Sequence, residues 1–163
     1  MKMIVTLGLL VLAVSMAQAQ TATGQSPAPP VTSAKVSYYD SAKVKAAFAK
    51  GEGSGIKGDL LAEAPLYRVQ ALRRDQPGLA EIHVHETDIN YIVAGTATFV
   101  TGGTIPDLKV ADAENSRGSK IVGGEVHHLK KGDVIVVPAG VPHWYSEVKG
   151  NFLYIIIKSI APK

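Results

Sequence analysis

The sequence predicts an all-β fold, a sandwich or closed barrel preceded by one short helix. Two observations carry this. From residue 66 onward the chain is a succession of short segments, rich in Val, Ile, Tyr and Thr or alternating in polarity. Such residues pack well on a pleated surface. Turn clusters separate the segments: Gln76-Pro77-Gly78, Gly102-Gly103, Lys131-Gly132-Asp133 and Gly150-Asn151. Many short strands with almost no helix bury their apolar faces either in two packed sheets or in one sheet closed on itself.

Taken in order, residues 1–19 are expected to be an export signal. Lys2 gives a positive start, residues 4–16 (IVTLGLLVLAVSM) are a continuous apolar run, and Ala17-Gln18-Ala19 places small residues where a signal peptidase reads them. The mature chain then begins at Gln20. The run falls short of the ~20 residues that span a bilayer, which argues against a retained anchor. Residues 20–35 are polar and proline-containing, the composition of a disordered leader. The folded domain is expected over 36–163. Asp40 or Ser41 can cap a helix over 41–50, with Gly51 in the place of a C-terminal glycine. Residues 51–58 read as a loop. Strands are expected at 66–74, 80–85, 89–101, 121–129, 133–137, 143–148 and 152–159. The polar stretch 104–120 reads as a long loop over one end of the barrel. Residues 152–157 (FLYIII) are apolar on both faces, which fits either burial within one chain or a homodimer interface.

Length and composition narrow the function. The chain has 163 residues, suited to one domain, with 46% apolar and 19% charged residues, a globular balance. The net charge of +3 is too weak to argue for nucleic acid, and no Lys/Arg stripe interleaves with aromatics. With no cysteine there is no disulfide, thiolate nucleophile or iron–sulfur cluster. A metal on this chain must sit on His, Asp, Glu or water.

Two segments hold such donors. In His83-Val84-His85-Glu86-Thr87-Asp88, strand alternation puts His83 and His85 on one face, and a carboxylate follows. In the second, residues 132–143 (GDVIVVPAGVPH), a strand runs into a Pro/Gly turn that delivers His143 at the start of the next strand. These segments resemble the two motifs of the cupin superfamily, G-x5-H-x-H-x3–4-E-x6-G and G-x5-P-x-G-x2-H-x3-N. Gly132, Pro138, Gly140 and His143 match the second. In the first, His83, His85 and Gly95 match, Gly78 is one residue off the leading glycine, and Asp88 falls in the glutamate slot. Two positions depart: the acid is Asp, closer to His85 than the family's spacing, and Glu147 replaces the usual Asn.

The resemblance covers roughly residues 66–160. It implies a double-stranded β-helix, a jelly-roll barrel, holding one divalent metal ion on His83, His85, His143 and Asp88. Because of the acid's short spacing, Glu86 and Asn90 stay open as alternatives to Asp88. Tyr145 and Glu147 share strand parity with His143 and are the candidates for catalytic chemistry in the pocket. His127 and His128 point to opposite faces of their strand and read as surface or backbone-satisfied residues. Arg68 and Gln70 share one face of an early strand. If that face points inward, Arg68 can meet an anionic substrate; surface exposure is the simpler reading.

Three imidazoles and a carboxylate leave positions open on a six-coordinate ion and suit Fe, Mn, Ni or Co; loss of the acid leaves a three-histidine Zn site. An open position allows carbonyl polarisation, water activation or dioxygen binding. The expected function is a secreted or periplasmic metal-dependent enzyme acting on a small oxygen-rich molecule, of dioxygenase, isomerase or lyase type. A non-catalytic small-ligand-binding protein is the alternative. Neither reading involves nucleic acid, or a membrane once the signal is cleaved.

Overall fold

The computed structural model describes residues 36–51 and 55–162. The expected export signal and leader lie outside the described residues. Among the described residues the order of elements is one helix and nine strands, paired antiparallel throughout.

Helix α1 (Ser41–Ala49) begins at Asp40, whose carboxylate accepts a hydrogen bond from the Lys43 backbone N–H at 2.9 Å. That satisfies one of the donors that the first turn leaves open. The helix buries Ala47 and Phe48 against Leu61 and Ala71, on the outer face of β1 (Ile56–Ala64) and β2 (Tyr67–Arg74). Strand β1 begins where a glycine loop was expected. Its pairing with β2 slips between Leu60 and Ala62. Such a bulge breaks the two-residue period, so the sequence shows no alternation there.

Strands β3 (Ala80–His83), β4 (Glu86–Thr101) and β9 (His143–Ile160) form the frame of the site. Strand β9 had been expected as two strands broken at Gly150, but it runs through 18 residues. Its first part lies between β3 and β4, its second between β2 and β4. Strand β4 likewise pairs first with β8 (Val134–Val137) and then with β7 (Glu125–Lys130). Both long strands thus pass from one sheet into the other, and the two sheets form a jelly-roll barrel, the double-stranded β-helix that the motifs imply.

The passage is made at Gly95 and Gly150, where the β4–β9 register shifts. Gly95 has φ +76°, and a Cβ there would lie 2.7 Å from Phe152 Cα and 2.9 Å from the Asn151 carbonyl oxygen. Both obstacles are backbone. We expect Gly95→Ala to destabilise the fold by more than about 1 kcal/mol, read by chemical denaturation; an unchanged midpoint would mean that the crossing relaxes freely.

The stretch expected as a long loop contains two strands, β5 (Lys109–Val110) and β6 (Asn115–Gly118). Strand β6 pairs with β3 and sets Asn115 beside His83. Inside the barrel, Phe99, Tyr145, Phe152 and Tyr154 form one cluster, with neighbouring ring centroids 4.5–5.4 Å apart. These aromatics close one end of the interior and leave the other to a polar pocket.

Candidate metal centre and its pocket

The pocket measures about 270 Å³ and opens between β2, β3, β4 and β9. Strand alternation decides what faces it. From β2 come Arg68, Gln70, Leu72 and Arg74, from β4 Glu86, Asp88 and Asn90, and from β9 His143 and Tyr145. Arg68 therefore points inward, against the simpler expectation of surface exposure.

At the pocket's centre His83, Asp88 and His143 meet, each between 4% and 6% exposed. Asp88 Oδ2 lies 3.5 Å from His83 Nε2 and 3.6 Å from His143 Nε2. Each imidazole is oriented from behind. His83 Nδ1 donates to Asn115 Oδ1 at 2.7 Å, and His143 Nδ1 donates to the Val141 carbonyl at 3.0 Å. Both partners are acceptors, so the proton sits on Nδ1 and the Nε2 lone pair faces Asp88. Donors held ~2.1 Å from a shared ion at tetrahedral angles lie about 3.4 Å apart, and both Asp88–histidine distances match that spacing.

A further donor beside the two histidines is Glu81, which sequence reasoning missed and which also pairs with Arg117. Glu81 sits two residues before His83 on the same face of β3, opposite His143 across the β3–β9 pairing. Ligand atoms of Glu81, His83 and His143 lie within 4.8 Å of one another. The structure does not bring His85 to this cluster. Strand β3 ends at His83, and the chain bends at Val84 and His85, so alternation no longer holds. His85 Nδ1 bonds Glu114 Oε2 at 2.8 Å, with the side chain 37% exposed. The signal for this was a count. Four residues separate His83 from Asp88, inside the family's spacing, whereas only two separate His85 from it. Read from His83 as the second histidine, the acid's spacing is regular and Glu81 occupies the first-histidine slot.

Of the alternatives to Asp88, Glu86 offers an oxygen within 4.8 Å of ligand atoms of His83 and Asp88. Glu86 is gripped by Arg68 through Oε1 and by Lys158 through Oε2. Asn90 Oδ1 accepts from the Tyr145 hydroxyl at 3.2 Å. Lys158 also reaches Asp88 Oδ1 at 2.7 Å, leaving Oδ2 for the histidines. Burial raises the Asp88 carboxyl, but the His83 imidazole and the Lys158 ammonium beside it outweigh that and hold the group below its ordinary range. Burial lowers His143, and the facing His83 adds to this against the opposing pull of Val141 and Asp88. The centre is thus a carboxylate with a neutral imidazole, the protonation states that ligate a metal.

Of the two catalytic candidates, Tyr145 lies in the pocket. Burial, with Tyr154 beside it, pushes its phenol well above the ordinary value, so it is a neutral donor. Glu147 does not. The register between β4 and β9 shifts between Thr98 and Phe99, and Glu147 stands exposed on the outer face, bonded to Thr98 at 3.1 Å and to Lys149 at 3.0 Å. His127 bonds Thr101 Oγ1 at 2.9 Å, and His128 is exposed; neither lines the pocket.

A family model described as Cupin matches residues 67–163. Among solved structures, an uncharacterized conserved protein with a double-stranded beta-helix domain from Klebsiella pneumoniae is 15% identical, with TM-score 0.52, over 77% of this chain and 92% of that one. KdgF from Halomonas sp. is 19% identical, with TM-score 0.46, over 69% and 87%. The Streptomyces nucleoside dehydratase Pac13 is 16% identical, with TM-score 0.46, over 70% and 77%. The first of these likenesses speaks to fold alone. No curated protein matches the chain by sequence.

Proposed function

Since this chain belongs to the cupin family, we propose that it is a metal-dependent enzyme acting on a small oxygen-rich molecule, of dioxygenase, isomerase or lyase type. The observation that carries the reading is the convergence of His83 Nε2, His143 Nε2 and Asp88 Oδ2 in a pocket large enough for a small metabolite. Glu81, His83, Asp88 and His143 would hold the ion, and the mixed nitrogen and oxygen set suits Fe, Mn, Ni, Co or Zn. Bound there, a divalent ion with an open position polarises a carbonyl or activates water or dioxygen.

The chain's own residues do the rest. Asn115 and Val141 fix the imidazoles, and Lys158 anchors Asp88 by its other oxygen. Tyr145 keeps its proton and offers a hydrogen bond that a substrate oxygen can take over from Asn90. Elemental analysis of protein purified from its native compartment should find about one transition metal per chain. Oxygen consumption with phenolic and keto-acid substrates then separates dioxygenase from non-oxidative chemistry. Protein that purifies without metal and binds none on addition would sink the proposal, and metal with no turnover of any substrate would favour the ligand-binding alternative.

Export and pairing complete the proposal. The apolar run and Ala17-Gln18-Ala19 support a periplasmic or secreted protein beginning at Gln20. On the outer face of β4, β8 and β9, Tyr91, Val134, Val136 and Ile157 are 38–60% exposed, which supports a homodimer formed there. Native mass spectrometry of exported protein reads both features, with two chains per particle expected, each starting at Gln20. A monomer at micromolar concentration would reject the pairing, and an intact Met1 the processing.

A further inference from the structure

The pocket's charges do not balance, and the imbalance has one address. Its lining carries four cations, Arg68, Arg74, Arg117 and Lys158, against three acids, Glu81, Glu86 and Asp88. Three of the cations meet those acids. Arg68 grips Glu86, Lys158 bridges Glu86 and Asp88, and Arg117 Nε reaches Glu81 at 2.8 Å. Arg74 meets none of them. It ends β2, is 5% exposed, and makes no ion pair among the described residues. Its Nε donates to the Tyr154 hydroxyl at 3.1 Å, and its guanidinium carbon lies 4.7 Å from the Tyr145 ring centroid. One edge and one face of the guanidinium are thereby fixed. The two terminal nitrogens have no protein acceptor among the described residues, and they are not sealed off from the pocket. Gly78 makes room for them, since a Cβ there would lie 2.5 Å from Nη1.

A buried guanidinium without an anion is costly unless a ligand supplies one. Two parallel N–H donors in a rigid plane match the two oxygens of a carboxylate. We propose that Arg74 is the carboxylate anchor of this pocket and that the natural ligand is a small organic acid, held by its carboxylate at Arg74 with its remaining oxygens toward His83, Asp88 and His143. This rests on the reading of the pocket as a small-molecule site, not on the presence of a metal.

Trp144 is the chain's one tryptophan and lines the same pocket, so its fluorescence reports occupancy. The experiment titrates the full chain with benzoate, with its neutral isostere benzamide, and with inorganic phosphate, in wild type, in wild type stripped of metal by a chelating resin, and in Arg74→Gln and Arg74→Lys. Wild type should prefer benzoate to benzamide by on the order of 10-fold or more, the scale of a charge-assisted pair. Arg74→Gln should lose that preference, and Arg74→Lys, with charge but no fork, should keep part of it. Metal-stripped wild type should retain it. Equal binding of benzoate and benzamide to wild type overturns the proposal. So does a preference that survives in folded Arg74→Gln, or one that vanishes in metal-stripped wild type, which would put the carboxylate on a metal. Tighter binding of phosphate than of benzoate overturns the carboxylate assignment. Should Arg74→Gln fail to fold by circular dichroism, Arg74→Lys and the wild-type comparison decide alone. If metal titration fails while the Arg74-dependent preference stands, the metal reading falls and the anion site remains.

Discussion

Alanine in place of His83 or His143 is expected to weaken Mn²⁺ binding by about 100-fold or more, while His85→Ala leaves it within about threefold. Each of the first two deletes an inner donor whose orientation is already fixed by Asn115 or Val141. His85 is held away by Glu114 at 2.8 Å. Glu81→Gln should fall between, since it removes a charge but keeps an oxygen. Calorimetric titration of Mn²⁺ into metal-free protein reads all four. Equal loss in His85→Ala would restore the H-x-H pair as the ligand set. Acid should act in the same direction on two levels. Protons compete with the ion for the imidazole nitrogens, and for His143 that competition sets in below about 6.5, because burial lowers it. In metal-free protein His143 resists protonation when folded, because burial lowers it. The unfolded chain therefore takes up that proton first, and stability drops as pH falls below about 6.5. Asp88, held low by its partners, keeps its contribution above about pH 4 and loses it below.

Lys158→Met should cost the metal-free protein about 3–5 kcal/mol, the scale for leaving buried charge unpaired. Lys158 is 13% exposed at its side chain and stands between Glu86 at 2.9 Å and Asp88 at 2.7 Å, which are 9% and 5% exposed. Without it, two carboxylates share a buried site with only Arg68 to balance them. Two compensations should follow. Adding Glu86→Gln should recover part of the loss, and saturating Mn²⁺ should recover more, because the ion replaces the missing positive charge. Urea denaturation of the single and double variants provides the measurement. A loss under about 1 kcal/mol would mean that water already screens the pair and that the cluster is not a closed one.

Much of this architecture was legible before any coordinates. Strands β2, β4, β7 and β8, and both halves of β9, show themselves through β-branched and aromatic residues between glycine turns. Strand β1 does not, because its bulge after Leu60 breaks the period that would reveal it. Strand β6 hides in a polar stretch because its role is to pair with β3 and present Asn115, which asks little of hydrophobicity. At the site, the motif resemblance pointed to His83, Asp88 and His143, which line the pocket, and to His85, which does not. Glu81 went unread, because the alternation rule was carried two residues past the end of a strand, and a bend there reverses where side chains point. Arg74 lay outside every motif. Only three-dimensional pairing shows that the pocket's other cations are matched and this one is not.

The 18-residue β9 also sets the order of events in time. It supplies His143 at one end and Lys158 at the other, and both close on Asp88. The Lys158–Asp88 contact joins positions 70 residues apart in the chain. Loop closure over such distances makes β-barrels slow, on the order of milliseconds to seconds, and puts their long-range contacts among the last to form. A half-folded chain can dock α1 against the β1–β2 hairpin, and so acquire local order, while its imidazoles are still apart. Capture of the proposed ion would therefore mark completed folding rather than trigger it, and an ion met too early would find only scattered, exchangeable ligands.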